Sequence, residues 1–164
     1  MKNLFSFLVL AMVLGCDSSS SGGQSFSPDP PLVIGGDERP ADVDIPNDYD
    51  PEVSYPLVML LHGAGADGAT QAGYFQLTNF VDPKQFIMVY PDGTPNDEGR
   101  RLWNGAACCT ADDEIDDVAY ISGLIEEAQE TYNIDSKRVY LIGHSNGGFM
   151  SFRMACEVPN LFTA

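Results

Sequence analysis

Hydrophobic and polar residues follow two patterns along the chain, short unbroken apolar runs and a longer segment with apolar residues three and four positions apart. The runs at residues 57–61, 86–90 and 139–142 predict strands covered on both faces, as in a parallel sheet. Residues 115–132 have helical spacing and predict an amphipathic helix. A further helix is expected after Gly148. This alternation predicts an α/β fold, a mostly parallel sheet with helices on both faces.

Three weaker patterns fill the segments between these elements. Residues 32–34 and 41–45 are short extended pieces that predict edge strands at best. Residues 70–81 predict one short helix that buries Phe75, Leu77 and Phe80 and ends at Pro83.

The clearest chemical motif lies where the third apolar run ends, in the G-x-S-x-G sequence of residues 143–147. Gly143 and Gly147 lack a Cβ, so the chain can turn sharply from strand to helix and expose the hydroxyl of Ser145. The N–H groups at the start of the following helix favour negative charge there. The strand and helix around the motif predict a nucleophilic serine, although with sixteen glycines a chance pentapeptide is the alternative.

A second small-residue loop, residues 62–68, follows the first apolar run. It predicts half of an oxyanion hole, with one backbone N–H from Ala64 or Gly65 and a second from Asn146, directly after the serine. A phosphate-binding loop is the competing hypothesis, but the G-x-x-x-x-G-K-[ST] pattern is absent.

The long loop 94–110 and the acidic run 112–117 hold the other candidates. Trp103 is expected to be either a substrate platform at the carboxyl ends of the strands or a core residue under the loop. The acids resemble a metal site, but their position at a helix start favours capping, and the spaced ligands of a calcium loop are missing. We therefore predict no metal and no cofactor.

The N-terminus has the pattern of an export signal. Residues 1–15 begin with Lys2 and continue as an apolar run too short to span a bilayer. The boundary before Cys16 resembles the lipobox of bacterial lipoproteins, which predicts a lipid on Cys16, with an ordinary cleavage site as the alternative. Residues 16–36 are expected to be a flexible tether and residues 37–164 the folded domain. The predicted location is the cell envelope or the extracellular space.

Net charge bears on binding partners, and cysteine count bears on disulfides. A formal charge of −16 repels phosphate backbones, so nucleic acid is not an expected partner. With Cys16 assigned to lipid, Cys108, Cys109 and Cys156 are left. A disulfide from Cys108 or Cys109 to Cys156 is expected, and the odd count leaves one cysteine either as a free thiol or with a partner in the missing part of the chain.

Several motifs from about residue 57 to residue 164 resemble the polyhydroxybutyrate depolymerase and feruloyl esterase family of secreted α/β-hydrolases. They are Leu61-His62-Gly63, Tyr90-Pro91-Asp92-Gly93, Trp103-Asn104, Cys108-Cys109, Asp116-Asp117-Val118, Ile134-Asp135, Arg138-Val139-Tyr140 and the segment 143–148. The resemblance implies an α/β-hydrolase that hydrolyses an ester through a serine nucleophile. Its implied substrates range from hydroxyalkanoate polyesters to feruloyl or acetyl groups on plant polysaccharide.

One departure from that family concerns the catalytic base. In α/β-hydrolases the acid and then the histidine follow the serine, yet none of the nineteen residues after Ser145 is a histidine. His62 and His144, the only histidines, are poorly placed to activate it. We expect the N-terminal part of a longer esterase, truncated after the helix that follows Ser145 and inactive as it stands. The alternative is a non-catalytic surface lipoprotein that keeps a partial hydrolase fold as a binding or structural module.

Overall fold

A computed structural model describes residues 24–105 and 114–163. The strands are β1 Val33–Ile34, β2 Ala41–Asp44, β3 Tyr55–Leu61, β4 Ile87–Pro91, β5 Thr94–Pro95, β6 Arg101–Leu102 and β7 Ile134–Gly143. The helices are α1 Gly68–Phe75, α2 Thr78–Lys84, α3 Asp117–Thr131 and α4 Asn146–Glu157, followed by a 3₁₀-helix at Pro159–Leu161. Within the described ranges, no helix has the length and apolarity needed to cross a membrane.

Five strands form the main sheet in the order β1-β2-β4-β3-β7. β3 lies parallel to both β4 and β7, whereas β2 runs antiparallel to β4 and β1 antiparallel to β2. The three neighbouring strands β4, β3 and β7 are those predicted from continuous apolar runs, and the two short pieces predicted as edge strands are β1 and β2 at the other side of the sheet. The sheet is therefore mixed, with its parallel part at β4, β3 and β7.

Alternate side chains of β3 enter two separate hydrophobic cores. Leu57, Met59 and Leu61 pack in a cluster that also contains residues of α3 and α4. Leu60 belongs to a second cluster with Ala72 of α1 and residues of α2 and β4. Because successive strand residues point to opposite faces, these clusters confirm the prediction of helices on both faces of the sheet.

The folded domain begins earlier than predicted. Residues 16–36 were expected to be a flexible tether, but Ile34 is only 3% exposed and belongs to the larger core cluster. β1 pairs with β2, and the carbonyl of Leu32 accepts a hydrogen bond from the N–H of Val43 at 2.9 Å. The boundary at residue 37 was wrong because a two-residue strand has too little periodicity to be distinguished from irregular chain.

The single helix expected at residues 70–81 is two helices. α1 ends at Phe75 and is capped by Gln76, which adopts a left-handed conformation with φ of 56°. The helical phase restarts in α2, so Val81 is buried while Phe80 is 46% exposed. Pro83 lies inside α2 instead of ending it. The left-handed residue is a glutamine, a type that gives no sequence signal for such a break.

α3 starts within the acidic run, and its two adjacent aspartates have different roles. Asp116 caps the helix by accepting the N–H of Ala119 at 2.9 Å, as predicted. Asp117 is buried, binds Arg39 at 2.9 Å and accepts the N–H of Asn104 at 2.8 Å. In the part of the chain that the structure describes, no cluster of three or more potential metal ligands occurs.

The Arg39–Asp117 pair generates a stability prediction. In Asp117→Asn, the half-buried guanidinium of Arg39 loses its counter-charge, and we expect a loss of about 3 kcal/mol in the free energy of unfolding. The matched control is Asp135→Asn, which removes the charge from the more exposed Asp135–Arg138 pair, whose side chains are 32% and 41% exposed, and should change the free energy of unfolding less. Urea denaturation measures both variants. Similar small losses in the two would show that the buried pair does not stabilise the fold.

Candidate active site

Ser145 is the second residue of the two-residue turn between β7 and α4. β7 ends at Gly143, and α4 begins at Asn146. Ser145 has φ of 51° and ψ of −113°, a backbone region that glycine occupies easily and other residues avoid. Its side chain belongs to an exposed residue. The structure thus has the sharp, strained turn that the G-x-S-x-G motif predicted, and strain of this kind is typical of functional sites.

The two glycines of the motif are required by close backbone packing. A Cβ at Gly143 would overlap the carbonyl of Gly147. A Cβ at Gly147 would lie 2.5 Å from the carbonyl oxygen of Leu61 and 2.6 Å from that of His62. The start of α4 therefore packs directly on the end of β3, where the loop of residues 62–68 begins.

The backbone N–H groups of this loop identify the available donor. Gly63 donates to Oε1 of Gln71 at 3.2 Å, Gly65 to the carbonyl of Arg101 at 2.8 Å, and Ala66 to the carbonyl of Gly63 at 3.1 Å. The N–H of the exposed Ala64 has no acceptor among the described residues. Of the two donors considered from sequence, Ala64 is the one that the hydrogen bonding supports, because the Gly65 N–H is occupied.

His62 stabilises this loop through hydrogen bonds at both ring nitrogens. Nδ1 lies 2.8 Å from the carbonyl oxygen of Gly63, and Nε2 accepts the N–H of Gly93 at 2.8 Å. These partners require a neutral ring protonated at Nδ1, because the Gly93 N–H needs a lone pair. Burial lowers the pKa of His62, which favours the same neutral form.

Trp103 joins the loop to the serine turn from inside the core. The side chain is 0% exposed, and its indole N–H donates to the carbonyl of His62 at 3.1 Å. The buried amide of Asn146 accepts the backbone N–H of Trp103 at 2.7 Å and donates to its carbonyl at 2.9 Å. The proposed substrate platform at Trp103 is therefore wrong in this structure, since no face of the ring is open to a ligand.

The second predicted oxyanion donor is the backbone N–H of Asn146. It lies in the first turn of α4, where helix geometry itself supplies no acceptor, and it directly follows Ser145. The loop stands against the same turn, because the N–H of His144 donates to the carbonyl of Leu61 at 3.1 Å. The roles of Ser145, Ala64 and Asn146 stay predictions, but the three lie on segments that pack together.

Neither histidine is arranged as a base for Ser145. His62 is buried and uses both of its ring nitrogens in the loop. The ring of His144 lies among aromatic side chains of α1, with centroid distances of 5.7 Å to Tyr74 and 5.9 Å to Phe75. The sequence expectation that neither residue activates the serine agrees with these contacts.

Two residues support the site in roles that the sequence did not predict, Gln71 and Asp92, of which Asp92 was named only as part of a family motif. Gln71 of α1 is 2% exposed and holds the Gly63 N–H, while Asp92 accepts the N–H of Gly68 at 2.8 Å through its carboxylate. Both bind loop N–H groups from positions that depend on tertiary folding. The one signal in the sequence is that Gln71 is a polar residue on the otherwise apolar face of α1, which indicates a buried hydrogen-bonding partner.

The cysteine predictions fall mainly outside the described residues. Cys16, Cys108 and Cys109 belong to parts of the chain that the structure does not describe. Cys156 is exposed near the end of α4 and carries no disulfide to another described residue. Lipidation of Cys16 and the bridge to Cys156 therefore stay predictions.

Comparison with known proteins places the chain in a family. The model of the family described as "Putative esterase" matches residues 34–164. The chain belongs to this esterase family. This match begins at β1, which agrees with the early start of the folded domain.

Individual relatives of this esterase-family chain include two curated proteins. Feruloyl esterase B of Neurospora crassa is 33% identical over 111 residues, covering 66% of this chain and 36% of that protein. A bifunctional acetylxylan esterase/xylanase of Neocallimastix patriciarum is 30% identical over 109 residues, covering 66% of this chain and 15% of that protein.

Solved structures agree on the fold. A thermostable esterase superposes with a TM-score of 0.58 and 27% identity, covering 79% of this chain and 38% of that one. The esterase-family chain has the α/β-hydrolase fold, and it spans less than half the length of each of these three relatives.

The strain at Ser145 predicts that glycine fits this position better than alanine. Both Ser145→Gly and Ser145→Ala remove the hydroxyl, but only glycine relieves the positive φ. We expect Ser145→Gly to be about 1 kcal/mol more stable than Ser145→Ala, after allowance for the greater freedom of glycine in the unfolded chain. Thermal and urea unfolding compare the two. An alanine variant of equal or greater stability would contradict a strained turn.

His62 predicts a stability change with pH. Its folded pKa lies below the ordinary value of 6.5, so the stabilisation is present above pH 6.5 and is lost as the pH falls through the lowered folded pKa. In an NMR titration, the imidazole of His62 should titrate with a midpoint below 6.5. The variant His144→Gln leaves His62 as the single histidine, so that its NMR signals are assigned without ambiguity. A His62 midpoint at or above 6.5 would contradict the neutral, doubly bonded ring.

Proposed function

We propose that this chain carries the nucleophile and oxyanion hole of a serine carboxylic-ester hydrolase. The observation that supports this most directly is the strained, exposed Ser145 at the N-terminus of α4, packed against a loop in which Ala64 has an unused N–H. Membership of the esterase family supports the same chemistry. Backbone strain costs stability, and it is found mainly at functional sites. The strained turn at Ser145 therefore supports a role in which its hydroxyl is exposed to a substrate.

The proposed reaction begins with attack of the Ser145 oxygen on the carbonyl carbon of the ester. The Ser145 proton goes to a base, and the carbonyl oxygen becomes an oxyanion that accepts hydrogen bonds from the N–H groups of Ala64 and Asn146. Collapse expels the alcohol, which takes up a proton, and leaves an acyl-serine ester. Water then attacks this ester, and the carboxylic acid leaves as Ser145 regains its proton. The positive end of the α4 dipole adds to the stabilisation of the oxyanion.

We propose that the base and its orienting carboxylate come from outside residues 1–164. Both ring nitrogens of His62 are engaged, and the ring of His144 packs against Tyr74 and Phe75. The relatives are more than twice as long as the aligned segment, which leaves room for these groups. The proposal assigns this chain the positioning of the serine and assigns proton transfer to residues elsewhere.

The proposed substrate is a carboxylic ester of plant polysaccharide, either feruloyl or acetyl. The names of the two curated relatives, Feruloyl esterase B and an acetylxylan esterase/xylanase, support these two acyl groups. The motif resemblance implies hydroxyalkanoate polyesters as the other ester class. Plant polysaccharides and extracellular polyesters do not enter cells. The predicted export of the chain and the predicted lipid anchor at Cys16 are therefore consistent with either class of ester.

Chemical rescue with free imidazole tests the nucleophile in the chain as it exists. A fluorophosphonate probe should label this chain slowly, since Ser145 has no base. A positioned base contributes about 100-fold to 10,000-fold, and free imidazole supplies a part of that, so we expect it to raise the labelling rate about tenfold. The readout is the rate of adduct formation by mass spectrometry, with the labelled serine identified by peptide mapping.

Ser145, in the turn before α4, and Ser151, within α4, provide a matched pair of variants. Ser145→Ala should abolish the imidazole-dependent adduct. Ser151→Ala should leave it unchanged, since the Ser151 hydroxyl donates to the carbonyl of Gly147 at 2.9 Å. Labelling that is spread over several serines, or that does not respond to imidazole, would contradict the nucleophile and favour the non-catalytic binding module.

A further inference from the structure

We infer that a cavity at the carboxyl end of β4 is an accessory site for one sugar ring of the polysaccharide whose ester Ser145 attacks. The inference rests on the proposed function and deepens it, because it gives the polysaccharide backbone a place on the protein beside the reacting ester. It follows from where the cavity lies, from the charges around it and from the prolines in its wall.

The cavity lies at the same edge of the sheet as Ser145. β4 and β7 are both parallel to β3, so the carboxyl ends of the three strands share one edge. β3 lies between the other two, and at about 4.8 Å between neighbouring strands the ends of β4 and β7 are roughly 10 Å apart. Ligands of open α/β sheets bind outside the carboxyl ends of the strands, so a polymer that lies along this edge contacts both places.

Three chain segments form the cavity around the end of β4. Residues 38–40 precede β2, residues 92–95 follow β4, and Arg101 begins β6. Ala41 is paired with Pro91, which brings the first segment against the second. The cavity volume of about 270 Å³ is just below the range of about 300 to 1,000 Å³ for pockets of drug-sized ligands, so the cavity suits one small ring.

The floor of the cavity is hydrogen-bonded to the loop of residues 62–68, which carries the proposed oxyanion donor. The carboxylate of Asp92 accepts the N–H of Gly68 at 2.8 Å, and the carbonyl of Arg101 accepts the N–H of Gly65 at 2.8 Å. A ligand in the cavity is therefore held at a fixed position relative to the loop.

Four charged side chains line the cavity, two of each sign. Glu38 and Asp92 are acidic, and Arg39 and Arg101 are basic. Both arginines are already paired, Arg39 with Asp117 at 2.9 Å and Arg101 with Asp92 at 3.3 Å. The balance of charge favours neither an anion nor a cation. Donors and acceptors side by side suit hydroxyl groups, which both donate and accept hydrogen bonds.

Two of the lining residues have hydrogen-bonding capacity that the described protein does not use. Glu38 is exposed, and its carboxylate has no partner among the described residues. The hydroxyl of Thr94 is buried and also has no partner there. This hydroxyl loses no hydrogen bond when the side chain turns to another staggered rotamer, so we expect it to turn toward a ligand that offers one.

Pro40 and Pro95 supply the apolar part of the wall. A sugar ring has C–H groups on its faces and hydroxyl groups at its edge, so it needs both kinds of surface. The ligand that fits a small, charge-balanced cavity with two proline rings is therefore an uncharged pyranose. In the proposed substrate, this is a backbone sugar near the one that carries the ester.

An NMR titration of the ¹⁵N-labelled chain with xylohexaose, an unacylated xylan oligomer, tests the site without any hydrolysis. We expect the amide signals of residues 38, 39 and 92–94 to shift. The dissociation constant should be millimolar, because one ring of about ten heavy atoms gives that affinity at the efficiency of drug-sized ligands. Absence of these shifts, shifts spread over the whole surface, or displacement of the sugar by equimolar inorganic phosphate would overturn the inference.

Glu38→Gln tests the unused carboxylate. The amide keeps the shape of the side chain but is a weaker acceptor than the carboxylate, so the dissociation constant for xylohexaose should rise about three- to tenfold. The matched control is Glu98→Gln, which removes an exposed acid from the β5–β6 hairpin outside the cavity lining and should leave the affinity unchanged. Equal losses in the two variants would show a general effect of charge and would contradict the site.

Thr94→Val separates a ligand contact from a structural role. It removes the unpaired hydroxyl and keeps the side-chain volume, so we expect about threefold weaker binding with no fall in the Tm of the free chain. Ser122→Ala is the control, because it removes another buried hydroxyl without a described partner, in α3 and outside the cavity lining. A Thr94→Val chain that binds as tightly as the wild type would refute the role of this hydroxyl.

Binding of xylohexaose is measured independently of the proposed chemistry. Loss of imidazole-dependent labelling together with intact sugar binding would refute the nucleophile and leave a sugar site on a non-catalytic module. Labelling at Ser145 without binding at residues 38–40 and 92–95 would refute the sugar site and leave the proposed nucleophile in place.

Discussion

The contact between the start of α4 and the end of β3 is the constraint on which the candidate site depends. It brings backbone against backbone, since the Cα of Gly147 packs on the carbonyls of Leu61 and His62. The same approach fixes the turn at Ser145 and the first residues of the neighbouring loop with one set of contacts. Any side chain at position 147 would separate the two segments and move the hydroxyl away from the N–H of Ala64.

A buried polar cluster holds this contact in place. His62, Trp103 and Asn146 are each at most 1% exposed, and their polar groups bond to one another's backbone or to Gly63 and Gly93. Buried polar groups rigidify a structure when they are satisfied and are costly when they are not. This explains why a tryptophan from a long loop lies in the core: it supplies an N–H to the carbonyl of His62 while filling apolar space.

Local features of the site and fold were predictable from sequence because their determinants lie within a few residues. The turn at Ser145 depends on its own flanking glycines, and the cap of α3 depends on Asp116 and a backbone N–H three residues later. Parallel strands were visible as unbroken apolar runs.

Other features were not predictable because their partners are distant in sequence. Arg39 meets Asp117 across 78 positions, and Trp103 meets Asn146 across 43. Whether Trp103 was a platform or a core residue depended on a side chain that only folding brings near. The break between α1 and α2 was missed for a different reason, since Gln76 adopts a backbone conformation that its residue type does not favour.

Positioning and proton transfer are separable in the proposed reaction. The described contacts that orient Ser145 join residues of β3, β7 and α4, and the packing of α4 on the end of β3 helps to hold the strain at Ser145. A base supplied from elsewhere would therefore meet a hydroxyl and a donor loop that already have their geometry. Preorganisation of this kind stabilises an oxyanion without rearrangement at the moment of reaction, whereas an unactivated serine stays a weak nucleophile. In the proposed reaction, the rigid part of the site thus lies in the described residues around Ser145 and Ala64, and the reactivity of the serine would depend on a proton acceptor within hydrogen-bond distance of it.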